Sequence, residues 1–481
     1  MPEPGGPGSG GTVVAFDPRE RAWVTRAAGR TGLVAVPKLD GALRLGELPQ
    51  DADDFGHIVH EEPAGVLRPG SVRDVAAMVT FCNAYGIEVA ARGQGHATHG
   101  QAQVAGGLVV ETEPLDHIGA VADGRVTVGA GAVWSAVALA TLPHGLAPPV
   151  FTDYLELSVG GTLSVGGLGG QAHRFGAQVD NVLELEVVTG AGDVAVCSPG
   201  RRPDLFHAVL AGLGQCAVIV SATLRLVPAP ETVRRFLLPY DDLETFLDDQ
   251  RLLAGDDRFA YVEGTADADD HGRYTAYELE AVAYGPPAGP PRGDAELLRG
   301  LRFDRSEPVA AETLGYFDFL NRLAEGVADL KDSGYWSWAH PWLNLLLPGA
   351  RAAELARAFL DGIAGADVGP GGVVLLYPLV RARLGAPLLR VPADPVPYLL
   401  AVLWTLDPLD TAAVSARTAA NRAAYERVRA GGGTQYPVGS VPMAAADWRA
   451  QYGEEWDRFA AARERYDPRG LLAPGQHIFG R

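Results

Sequence analysis

The loop Arg92-Gly93-Gln94-Gly95-His96-Ala97-Thr98-His99-Gly100-Gln101 constrains this chain's fold more than any other stretch, because of what stands on either side of it. Upstream, residues 64–68 form a strand stopped by Pro69-Gly70. Ser71 with Asp74 three residues on is a capping pattern, and Val72, Val75, Ala76, Val79 and Cys82 follow at helical spacing. Residues 87–91 then make a second strand that runs into the loop. Two glycines around one polar residue let the backbone approach an anion and turn its N–H groups toward it, and a diphosphate is the obvious guest. Three ligand readings compete with a plain tight turn: a nicotinamide-binding turn, a metal site from His96 and His99, and a flavin loop. In the nicotinamide fold the glycine turn opens directly into a helix, with the pattern G-x-G-x-x-G. Here the glycines fall at 93, 95 and 100, and residues 107–111 are another strand. Glu111 and Glu113 stand near the spacing of a ribose-binding acid, but without that helix. The metal reading lacks both a helix to align the two histidines and a third ligand nearby.

Residues 125–227 narrow the choice. A strand at 125–129 turns into a helical run at 133–142. The segment 159–171 then carries six glycines within eleven residues, a poor helix or strand by propensity. Its interspersed Val, Leu and Thr are not linker composition, so it suits backbone laid against a flat or charged ligand. Residues 182–189 and 194–197 form a hairpin pair, 204–210 a helix and 218–227 a strand.

At 481 residues the chain exceeds one ordinary core, so two domains, interleaved or consecutive, are expected. A net charge of −19 argues against nucleic acid or an anionic membrane as partner. Cys82, Cys197 and Cys216 lack C-x-x-C spacing, which supports neither disulfides nor zinc. The first twelve residues are Gly/Pro-rich without an apolar core, and a cytoplasmic location is the expectation. A short helix is expected over 18–28. Beyond 229, strand character at 234–238, 259–263, 274–284, 373–380 and 398–406 alternates with helices at 242–253, 350–363 and 411–429. Residues 285–291 read as a surface loop. A last helix, 445–465, presents Trp448, Tyr452, Trp456 and Phe459 at the spacing of a buried face.

Several motifs in order make the chain resemble a cytokinin dehydrogenase, within the oxidases that share an FAD-binding domain with vanillyl-alcohol oxidase and p-cresol methylhydroxylase. They are Asp54-Phe55-Gly56, Gly93-x-Gly95-His96, Thr152-Asp153-Tyr154-Leu155, Val159-Gly160-Gly161-Thr162-Leu163-Ser164 and Gly212-Leu213-Gly214-Gln215. His340-Pro341-Trp342-Leu343-Asn344, Tyr377-Pro378-Leu379, Tyr466-Asp467-Pro468 and Pro474-Gly475-Gln476-x-Ile478-Phe479 continue them to the end of the chain. The resemblance implies an α+β fold: a p-cresol methylhydroxylase-type (PCMH-type) FAD-binding domain of two α+β subdomains, plus a substrate domain whose antiparallel sheet is covered by helices. It divides the chain into an extension at 1–52, an FAD-binding domain at 53–228, a substrate domain at 229–439 and a returning segment at 440–481.

The same resemblance implies a small-molecule substrate, FAD as cofactor, and dioxygen or a quinone as electron acceptor. His96 would carry the flavin through a covalent bond to its 8α-methyl, and His99 would not. Gly93, Gln94, Gly95, Ala97, Gln101, Asp153, Ser158, Ser164, Leu168, Val218 and Gln476 would bind the cofactor. The absence of cysteine between 153 and 170 favours a single attachment. Asp153 resembles the acid that accepts the substrate amine's N–H, and Glu280 the acid that binds a purine N–H, with Glu278 competing from the same strand face. Four departures bear on substrate identity: Ala97 and Ala473 replace serines, Leu384 stands for a pocket-wall tryptophan, and a tyrosine near Gly439 is missing. Another amine, an alcohol or a sugar is the alternative substrate, and a flavin-free binding protein the non-enzymatic one.

Overall fold

The computed structural model describes residues 14–25, 31–285 and 292–480; the Gly/Pro-rich start of the chain and positions 286–291 of the proline loop lie outside the described residues. The buried apolar side chains gather into three large cores, which lie beneath and between three sheets.

The first sheet orders the strands Ala42–Arg44, Gly65–Arg68, Leu108–Glu111 and Val89–Arg92, the last three parallel. Helix Val72–Tyr85 sends Val75, Met78, Val79 and Cys82 into the core beneath it. Its expected capping box is not made. Ser71 forms no side-chain cap, and buried Asp74 instead accepts the backbone N–H groups of Asp40, Gly41 and Gly70 at 2.9, 2.7 and 2.8 Å. The helix expected over 18–28 is not formed either. Val14–Asp17 and Ala22–Thr25 pair as an antiparallel hairpin, and positions 26–28 lie outside the described residues. Phe16 packs against Trp23 at 5.2 Å and both reach Phe81, so aromatic burial outweighs a weak local preference.

The second sheet, antiparallel throughout, orders Val194–Cys197, Val182–Thr189, Ala217–Arg225 and Arg125–Gly129. Against it lies Val159–Val165, a helix where the glycine content predicted none. The Ser158 side chain accepts the Gly161 N–H at 3.4 Å to start it. A Cβ on Gly160 would stand 2.8 Å from that of Ala130, so glycine lets the helix touch the end of a strand. Close packing there offsets a propensity cost of about 1 kcal/mol per glycine. Past residue 165 the run is irregular. A Cβ on Gly170 would meet the Tyr261 ring at 2.5 Å, so Gly170→Ala should push that ring aside and destabilise by about 1–3 kcal/mol. A denaturant midpoint no lower than that of Gly200→Ala, where nothing lies within 4 Å, would count against this packing argument.

The third sheet has eight strands in the order Ala310–Gly315, Thr232–Tyr240, Tyr274–Tyr284, Tyr261–Ala268, Val373–Pro378, Tyr398–Leu403, Leu343–Leu347 and Thr434–Gln435. Every neighbouring pair is antiparallel. The two-residue period of a strand sorts its faces. Leu343, Leu345, Leu400, Val402, Val374 and Leu376 enter the core beneath helices Leu243–Ala254, Ala352–Leu360 and Thr411–Ala430. Leu346, Leu399, Ala401 and Tyr377 turn the other way, toward the glycine-rich half of the molecule. The fold is thus α+β, with an antiparallel sheet covered by helices on one side.

The helix expected over 445–465 is broken in two, Ala445–Tyr452 and Trp456–Tyr466, at Gly453 with φ 54°. Trp448, Tyr452 and Phe459 are buried as their spacing predicts. The chain then returns to the edge of the first sheet: Val89 N–H donates to Leu471 C=O at 2.9 Å and Ala473 N–H to Val89 C=O at 2.8 Å. Among the described residues no helix is long and apolar enough to cross a membrane.

Candidate active site

The uncovered face of the large sheet and the glycine-rich half enclose a cavity of about 1110 Å³. That exceeds the ~300–1,000 Å³ of ordinary small-ligand pockets, leaving room for a dinucleotide and a substrate together. Gly93, Gln94, Gly95, His96, Ala97, Gln101, Asp153, Ser158, Ser164, Leu168, Val218, Glu280 and Gln476 all line it.

The loop that enters it is shaped by close approach. A Cβ on Gly93 would lie 2.0 Å from Ser158 Oγ, and Gly95 holds φ +68°. The Asp54-Phe55-Gly56 segment clamps the loop from outside. Phe55 N–H donates to Gly95 C=O at 2.9 Å and Gly56 N–H to Ala97 C=O at 3.0 Å. The Asp54 carboxylate accepts the Gly100 and Gly56 N–H groups at 2.7 and 3.0 Å, and burial pushes it up to about 6. Asp54→Ala would strand the buried Gly100 N–H at about 1–3 kcal/mol, while Gly56 N–H keeps the Ala97 carbonyl. Expected results are a lower melting temperature and weaker retention of cofactor; an unchanged melt would remove Asp54 from this role.

His96 sits among aromatic rings. Phe55 is sandwiched between His96 and His340, each 4.0 Å away, at 28° and 4°. Tyr154, Trp342 and Trp336 stand 5.2, 5.6 and 5.8 Å from the same imidazole. Burial, helped by His340 and Lys331, lowers His96 to about 3, so the ring is neutral and keeps a nitrogen lone pair. His99 instead lines a separate cavity of about 220 Å³ beside Met443, Trp448 and His477.

The opposite end of the cavity is ionic. Asp153 Oδ1 accepts from Tyr261 Oη at 2.8 Å and from Arg322 Nη2 at 2.9 Å. Arg322 also reaches Tyr261 Oη and, at 3.2 Å, Glu280 Oε2. Arg235 Nε donates to Glu280 Oε1 at 2.5 Å and its Nη1 to Glu312 Oε1 at 2.8 Å. Glu280 therefore joins Asp153 through a shared guanidinium, and Glu278 lines the cavity beside it. Sequence reasoning missed Glu263, which pairs across the strands with Glu280. Burial first, and then the charge of Asp153, push the Glu263 carboxyl well above the carboxylate range, and its Oε2 is buried without a hydrogen-bond partner among the described residues. A signal was present: in Tyr261-Val262-Glu263 the period of two turns Tyr and Glu to one face, and an acid facing inward is rare without a task. Arg322, in a short connector, gave no such signal.

Other expectations need correction. Leu384 is buried in the core and does not line the cavity, whose wall there is Leu375, Tyr377, Leu399 and Ala401. A tyrosine does face the cavity near Gly439: it is Tyr436, whose hydroxyl accepts the Gly167 N–H at 3.0 Å. Ala97 and Ala473 both line the cavity and bring no hydroxyl to it.

The residues present fit FAD. Trp342 Nε1, Asn344 Nδ2 and Gln476 Oε1 are buried without a hydrogen-bond partner among the described residues, and all three residues line the cavity. Buried polar atoms are nearly always paired, so these mark places for a polar ligand. Residues 63–198 match the family described as FAD binding domain, which defines the class: the protein is an FAD-dependent oxidoreductase. Residues 276–479 match the family described as Cytokinin dehydrogenase 1, FAD and cytokinin binding. Cytokinin dehydrogenase 8 of Oryza sativa subsp. indica is 37% identical over 487 residues, covering 90% of this chain and 91% of that protein. An uncharacterized oxidoreductase, ORF5 in the fasciation locus of Rhodococcoides fascians, is 40% identical over 427 residues, covering 88% of this chain and 95% of the relative. The chain belongs to the cytokinin dehydrogenase family. In fold it is similar to 6-hydroxy-D-nicotine oxidase of Arthrobacter nicotinovorans, with a TM-score of 0.72, 22% identity, and 93% and 98% of the two chains covered.

Proposed function

We propose that the protein oxidises a secondary amine at the carbon next to nitrogen, with FAD attached covalently to His96 and Asp153 accepting the substrate's N–H. Residues 53–228 would hold the cofactor, 229–439 cover it over the substrate, and 440–481 bring Gln476 back to it. FAD supplies the two-electron acceptor that takes the hydride from that carbon.

The chain's own residues supply the rest. Asp153 takes the proton from nitrogen as the C–H bond breaks, and water adds to the resulting imine to release an amine and an aldehyde. Glu263, protonated, leaves the negative charge to Asp153. Glu280 spends one lone pair of each oxygen on Arg235 and Arg322, leaving others for a ring N–H of the substrate. Leu375, Leu399 and Ala401 form an apolar wall suited to an alkyl or isoprenoid group. For an N6-isopentenyl adenine the products are adenine and an unsaturated aldehyde. Dioxygen or a quinone would serve as the final electron acceptor.

The observation that carries this reading is Asp153 at the end of the same cavity as His96, its Oδ1 accepting from Tyr261 Oη and Arg322 Nη2 at 2.8 and 2.9 Å. Anaerobic mixing with isopentenyl adenine, small aliphatic amines, alcohols and sugars tests it. Bleaching of the flavin by isopentenyl adenine is expected; bleaching only by an alcohol or a sugar would sink the amine reading.

A further inference from the structure

We infer that Arg322 is a positioning residue that keeps the proton shared by Asp153 and Glu263 on Glu263, leaving Asp153 as the acceptor; this rests on the amine-oxidation reading above. Two carboxyls that face each other in a buried site do not both ionise, and the surroundings decide which one carries the proton. Arg322 Nη2 and Tyr261 Oη both donate to the same oxygen of Asp153, at 2.9 and 2.8 Å. Each favours a negative charge there. Among the described residues Glu263 has no ion pair, and its side chain is buried.

Every neighbouring element contributes to the balance. Tyr261 and Glu263 face Asp153 from one strand, Glu280 from the next and Tyr377 from Val373–Pro378. Arg235 spends its charge on Glu280 and Glu312. Arg322 is therefore the cation in contact with Asp153. It cannot lose its proton in water's range, so its effect does not fade with pH. The guanidinium is held in place by the rings of Phe319 and Tyr261, 4.7 and 4.9 Å from its centre. It arrives from the connector between helices Tyr316–Leu320 and Ala324–Asp332, while Leu323, Val327 and Leu330 roof the cavity beside it. The charge is thus delivered by the roof rather than by the sheet that carries both Glu263 and Glu280.

Removing the cation makes the pair's negative charge costlier, so the pair takes up its second proton at a higher pH. The test uses the flavin-loaded protein and Arg322→Met, which keeps the apolar contact with Phe319 and Tyr261, with Arg322→Lys as rescue. The rate of anaerobic flavin reduction by isopentenyl adenine is followed across a pH series. In Arg322→Met the acid limb should move up by about 1–3 pH units, the usual effect of an opposite charge at this distance, and Arg322→Lys should bring much of it back. A methionine variant that is slower at every pH with an unmoved limb would reduce Arg322 to a structural role and overturn the inference.

A second readout needs no substrate. The infrared band of protonated carboxyls at neutral pH should be weaker in Glu263→Gln than in the wild type and stronger in Arg322→Met. A band unchanged by Glu263→Gln, or untouched by Arg322→Met, overturns the inference. If no amine bleaches the wild type, the amine reading falls, and the infrared bands still decide on Arg322.

Discussion

Asp153→Asn is expected to keep the bound flavin and to slow its anaerobic reduction by substrate about 10²- to 10⁴-fold, the usual worth of one positioned base. The substitution is close to isosteric. The amide oxygen still accepts from Tyr261 Oη and Arg322 Nη2, which now contact Oδ1 at 2.8 and 2.9 Å. The local hydrogen bonds therefore survive. What is lost is the capacity to accept a proton from the substrate nitrogen while its C–H bond breaks. The expected signature is thus a fall in the reduction rate with the visible spectrum and melting temperature preserved. Stopped-flow mixing measures it directly, and a variant that reduces within a few-fold of wild type would take the proton-acceptor role from Asp153.

His96→Ala is expected to abolish acid-stable flavin. In the wild type the yellow colour should stay with the polypeptide after acid precipitation, and a flavin-sized mass should map to residue 96. The argument is one of access as much as of chemistry. The His96 imidazole is neutral, because burial lowers it to about 3, and it lines the main cavity. His99 lines the smaller cavity. Cys82, Cys197 and Cys216 are buried in the cores, and burial raises each thiol, that of Cys197 to about 12. His340 also lines the cavity, but its two ring nitrogens face the backbone carbonyls of Trp404 and Trp336 at 3.3 Å each, so any flavin the alanine variant binds should be released on denaturation. Flavin freed completely from denatured wild type, or a flavin mass on His99, would show the attachment to be wrongly assigned.

Much of the scaffold could be read from local chemistry. Period-two runs gave the strands of the large sheet, as at 274–284, and helical spacing gave Val72–Tyr85 and Thr411–Ala430. Where local preference and tertiary burial disagreed, burial won. The poor helix propensity that glycine gives 159–165 yielded to a close contact with Ala130, and residues 14–25 became a hairpin because Phe16 and Trp23 reach Phe81.

Asp153 and Glu280, which line the cavity, were marked by the family resemblance; by itself the sequence determined the glycine loop with His96 and the glycine-rich run that lies along the cavity. These were legible because each rests on short-range facts: which residues tolerate a positive φ, which leave no Cβ in the way, and which side of a strand a position faces. The tertiary structure alone decided who meets whom. It set Arg322 on Asp153 across 169 residues, put Glu263 beside Asp153 rather than in a plain strand, and turned Leu384 into the core instead of the cavity. Such pairings depend on strand register and on how separate elements stack, and no local pattern in the chain encodes a distance between positions so far apart.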